Sequence, residues 1–155
     1  MRVVECLRAE RFFEHPVDPT PVLADRNHYV RFHRTKAKRL LRLHSQFSAI
    51  VGALSSIQSA RDLRRWIVKN VAGFGMKEAS HVLRNLGRFE LAIVDRHVLR
   101  NLCRFGAIDT NDFPRTERHY EQIENAFCNF AAQCGLPLQE LDLLLWAIET
   151  GEVLK

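Results

Sequence analysis

Lys77 and Asp95, eighteen positions apart, are the residues whose types and surroundings best fit covalent chemistry. A neutral lysine amine attacks an electrophilic carbon, and a carboxylate beside it stabilises cationic charge that develops there. Lys77 follows Ala72-Gly73-Phe74-Gly75, in which two glycines around one apolar residue permit a tight reversal. Such a hairpin leaves the first N–H groups of the next helix unpaired and outward. With the dipole behind them they form a site for one phosphate, for which Gly73, Gly75 and Met76 are the candidates. Lys77 lies in that first turn, where the dipole's positive end disfavours an ammonium and helps the amine shed its proton. A phosphate-contacting or simply exposed lysine fits the same position. Asp95 follows the apolar run Leu91-Ala92-Ile93-Val94 and opens a helix, so a plain N-cap role competes with a catalytic one.

The elements that must position these residues read as all-α, because apolar spacing is helical throughout and strand-like alternation is absent. Residues 1–28, with Pro16, Pro19 and Pro21, read as an irregular arm, and 29–155 as one helical domain. The spacing predicts helices over Tyr29–Phe47, Ala49–Ser55, Ala60–Val71 and Met76–Leu86, the last stopped by Gly87. A further helix starts near Asp95 and ends before Gly106; two more cover Arg115–Gln133 and Pro137–Thr150. Ser59 is an expected N-cap. The basic run Arg31 to Arg42 fits either a phosphate track or a solvated face, and Arg64, Arg65 and Arg84 read as surface residues.

Residues Gly73 to Asn101, GFGMKEASHVLRNLGRFELAIVDRHVLRN, resemble the core of the archaeal and thermophile-type 8-oxoguanine DNA glycosylase/AP lyases. These are helix-hairpin-helix enzymes of the endonuclease III superfamily. The pairing of GMKEASH-x-LRN with AIVDRH carries the resemblance, which extends more weakly from Tyr29 to the end of the chain. It implies that Lys77 attacks C1′, displaces the base and forms a Schiff base, with Asp95 assisting and the strand nicked by β-elimination. It further implies a stacking site between Phe32 and Trp146, with polar contacts from Asp142 and Lys155 to the extruded purine. The partner would be double-stranded DNA containing 8-oxoguanine or abasic sites, met by a monomer with no cofactor or metal. Family members carry further helices ahead of the region that begins here at Tyr29. Part of the two-lobed architecture is therefore expected to be missing or atypical. That leaves a non-catalytic, or AP-lyase-only, helix-hairpin-helix module as the alternative.

Composition is consistent with this. Of 155 residues, 23 are Lys or Arg and 18 Asp or Glu, a formal charge of +5 that favours a polyanionic partner only modestly. The charged start, Arg2 to Glu14, lacks the apolar run of a signal peptide or membrane span, so an intracellular, DNA-associated protein is expected. Cys6, Cys103, Cys128 and Cys134 show no metal-finger spacing and read as small core residues; an iron–sulfur cluster would need four closely spaced cysteines. The scattered histidines have no ligand spacing.

Overall fold

The computed structural model describes residues 3–152, and among these all regular structure is helical. The chain divides into two compact units, one holding the residues up to Ile57 with Lys69–Gly73, the other Gln58–Val68 with the residues from Phe74 onward.

In the first unit, α1 (Val3–Ala9) and α2 (Thr20–Ala24) occupy the segment expected to be irregular. Proline does not break α2, because Pro19 is its N-cap and Pro21 falls in its first turn, where a missing N–H costs nothing. The Asp18 carboxylate accepts from the Thr20 N–H at 2.9 Å. Cys6, Leu7, Phe12 and Val22 form a small core against which Leu40 and Leu41 of α3 (His33–Ser45) pack. The helix α4 (Phe47–Ser56) follows directly.

The second unit is built on α5 (Ala60–Asn70, its last two residues belonging to the first unit), α6 (Met76–Asn85), α7 (Arg96–Arg104), α8 (Glu117–Cys134) and α9 (Leu138–Thr150). Each helix has a local reason to begin. Ser59 Oγ accepts from Asp62 N at 3.3 Å, and Thr116 Oγ1 from His119 N at 3.1 Å. Gly87 closes α6 in the left-handed region, φ 92°, with Arg88 N donating back to Leu83 O at 3.0 Å. Val98, Leu99, Leu102, Ile123, Phe127, Leu141 and Leu145 from α7, α8 and α9 meet in one core. Each such leucine contributes about 2 kcal/mol relative to exposure.

Candidate active site

Two glycines prepare the start of α6. Gly73 adopts φ 94°, and a Cβ there would meet the Arg39 side chain at 2.6 Å, so only glycine fits without displacing it. Gly75 is the N-cap of α6 in extended conformation, and Glu78 Oε2 accepts its N–H at 3.2 Å. Lys77 thus falls in the first helical turn. Its side chain is half exposed, with Nζ 3.4 Å from Glu78 Oε1.

Asp95 reaches the same place by a different route. Leu91, Ala92 and Val94 are buried, and Tyr120 of α8 pins the segment: the phenol donates to Ala92 O at 2.9 Å and accepts from Val94 N at 3.1 Å. Burial pushes the Tyr120 phenol above its usual pKa, which keeps it a donor. Chain leaving this clamp starts α7, and Asp95 Oδ1 caps it by accepting from Val98 N at 2.9 Å.

Lys77 and Asp95 line one cleft of 570 Å³ together with His81 and Arg84 of α6, and Gln139, Asp142 and Trp146 of α9. Four of the residues singled out from sequence are therefore brought together: Lys77, Asp95, Asp142 and Trp146. Asp142 and Trp146 share a face of α9 one turn apart. Phe32 belongs to the other unit, where it is 63 % exposed in the left-handed region, φ 61°, with the Arg31 guanidinium 4.6 Å from its ring centre. Lys155 lies outside the described residues.

Two arginines expected at the surface are buried instead. Arg64, 0 % exposed, pairs through both terminal nitrogens with Glu124 at 2.5 and 2.8 Å and donates to Ser80 Oγ on α6 at 3.0 Å. Glu124 Oε1 also accepts from Ala92 N at 2.9 Å. The buried Arg64–Glu124 pair thus joins α5, α6 and α8 to the segment that delivers Asp95. Arg84 is buried too, donating to Asp142 Oδ2 and to Gln139 O. Its place on the cleft face was readable from spacing, since 77, 81 and 84 follow one helical stripe. Arg65 is exposed as expected and pairs with Glu117, Glu121 and Asp62. Of the cysteines only Cys6 is buried; Cys103 and Cys128 are half-buried and Cys134 is exposed.

Burial pushes the Asp142 carboxyl above its usual range. Arg84 is the main opposing influence, Asp95 adds a smaller upward push, and His81 a smaller downward one.

A helix, a glycine turn and a second helix opening onto a cleft define a helix-hairpin-helix protein, and the amine and carboxylates in that cleft set it among those equipped for chemistry. The sequence model described as 8-oxoguanine DNA glycosylase matches residues 1–136. The 8-oxoguanine DNA glycosylase/AP lyase of Korarchaeum cryptofilum is 36 % identical over 155 residues, covering all of this chain and 73 % of that protein. The enzyme of the same description from Methanocaldococcus jannaschii is 40 % identical over 127 residues, covering 81 % of this chain and 60 % of its own length. The crystal structure of the M. jannaschii 8-oxoguanine DNA glycosylase superposes with a TM-score of 0.82 at 34 % identity, over 98 % of this chain and 71 % of that one. The same organism's glycosylase/lyase in complex with 15mer DNA containing 8-oxoguanine gives 0.81 at 33 % identity, over 99 % and 72 %. The chain belongs to the 8-oxoguanine DNA glycosylase family. The family match includes residues 1–28, which sequence reading alone did not relate to it.

Proposed function

We infer that this protein removes 8-oxoguanine from DNA and nicks the strand at the resulting site. The observation that carries the reading is the single cleft onto which Lys77, Asp95, Asp142 and Trp146 all open. The relatives named above, one of them crystallised with lesion-containing DNA, supply the substrate class.

In this reading the lesion base is turned out of the duplex into the cleft and stacks on Trp146. The neutral Lys77 amine forms a bond to C1′ as the C1′–N9 bond breaks, and the base leaves with the bonding electrons and takes up a proton. Asp95 stabilises the cationic sugar through the step. The sugar ring opens to a Schiff base on Lys77 Nζ. Loss of a C2′ proton then expels the 3′ phosphate by β-elimination. Gly75 and Met76 at the open end of α6, with Gly73 in the turn before it, are the candidates for holding a backbone phosphate. Phe32 and Lys155 are further candidates for the base, on the family resemblance. The chemistry asks nothing of a metal.

A nicking assay on a duplex carrying one 8-oxoguanine tests this. Cleavage at the lesion without added alkali, and none in an undamaged duplex, is the expected outcome. Salt-sensitive binding with no cleavage would make the protein a DNA-binding module instead.

A further inference from the structure

Arg84 lies two turns beyond Lys77 on α6 and is 9 % exposed at the cleft wall. One guanidinium nitrogen donates to Asp142 Oδ2, and the other to Gln139 O at 3.4 Å, so the fork grips α9 at two points. A planar guanidinium held in this way fixes the direction of the carboxylate as well as its charge. The Asp142 side chain is 13 % exposed. A carboxyl so placed must either take up a proton or keep a cation. The choice matters for recognition, because the ionised group only accepts hydrogen bonds whereas the protonated one also donates.

A flipped base is read on its Watson–Crick edge. A guanine-type edge offers adjacent N–H donors, while an adenine-type edge sets a lone pair beside its amino group. Resting on the glycosylase reading, we propose that Arg84 is a specificity-positioning residue. It holds Asp142 as a carboxylate beside Trp146, so that the cleft takes a purine presenting N–H donors and turns away one presenting a lone pair at that place.

The groups acting on Asp142 are Arg84 and His81 from α6 and Asp95 at the cap of α7, with Lys77 lining the same cleft. The acceptor form is the ionised one, so excision of the lesion switches on as pH rises through the Asp142 titration. Burial already raises that titration, and Arg84 is what chiefly opposes the rise. Removing Arg84 therefore moves the acid limb of the excision profile to higher pH.

The experiment compares single-turnover excision of 8-oxoguanine with borohydride trapping on an abasic duplex, from acid to neutral pH, for the wild type, Arg84→Met, Arg84→Lys and Asp142→Asn. Trapping on the abasic duplex needs no base recognition. Near neutrality Arg84→Met should lose excision about tenfold or more beyond any loss of trapping, regain part of it at higher pH, and be rescued by lysine. Asp142→Asn, which keeps the shape and cannot ionise, should have no acid limb beyond the one that trapping on the abasic duplex also shows. Equal losses on both duplexes, an acid limb unmoved in Arg84→Met, or an acid limb in Asp142→Asn that still exceeds the one seen in trapping would each overturn the proposal and leave Arg84 a tether between α6 and α9. Wild-type protein that neither excises nor traps would instead sink the glycosylase reading, and this inference with it.

Discussion

Asp95 carries two roles at one position, and substitution can separate them. Its Oδ1 caps α7, a contact whose loss to alanine costs about 1 kcal/mol. Its second proposed role, stabilising charge at the sugar, needs the negative charge and not the cap. Asparagine is an equally good N-cap, so Asp95→Asn should unfold in urea within about 0.5 kcal/mol of wild type. Its excision of 8-oxoguanine should fall about a hundredfold. Asp95→Ala should show the same loss of activity with the cap penalty added. An asparagine variant that excises at the wild-type rate would leave Asp95 a cap and nothing more. That Lys77 and Asp95 stand at helix starts was legible in the sequence, because glycine turns and helix caps leave local signatures. The burial of Arg84 and Arg64 was not. Periodicity shows which side of a helix is apolar, but not that a cation on that side meets a carboxylate 58 or 60 positions further on.

The helices of the second unit follow from the sequence almost residue for residue, since each has an apolar stripe and a start or stop marked by a capping residue, a glycine or a proline. The beginning of the chain is different. Its prolines read as breakers, yet Pro19 and Pro21 occupy the helix start that tolerates them, and α1 buries only Cys6 and Leu7 among charged neighbours. What holds the second unit's elements in register is the buried group centred on Glu124, which pairs with Arg64 and also satisfies the backbone N–H of Ala92. Breaking a buried ion pair from one side strands the other charge, at a cost of about 3–5 kcal/mol. Glu124→Leu should therefore lower the urea unfolding free energy by that amount, out of a total on the order of 5–15 kcal/mol for a domain. It should also slow excision, because the segment leading to Asp95 loses its hydrogen bond to Glu124 and Arg64, which holds Ser80 on α6, loses its main partner. A variant of wild-type stability would show that the network is incidental.

At the scale of the whole molecule, the net charge of +5 suits a polyanionic partner, and no helix among the described residues is long and apolar enough to cross a membrane. The chain spans 73 % of the Korarchaeum relative and 60 % of the Methanocaldococcus one. The family was legible from GMKEASHVLRN and AIVDRH, the two stretches that place an amine and a carboxylate on one cleft. The most direct test of the account is borohydride trapping on a duplex with a single 8-oxoguanine, wild type beside Lys77→Gln. With Lys77 as the nucleophile, the wild type gives a covalent protein–DNA band and the glutamine variant, which still binds the duplex, gives none. A band that survives Lys77→Gln, or a wild type that binds the lesion duplex and yields no band, would contradict it.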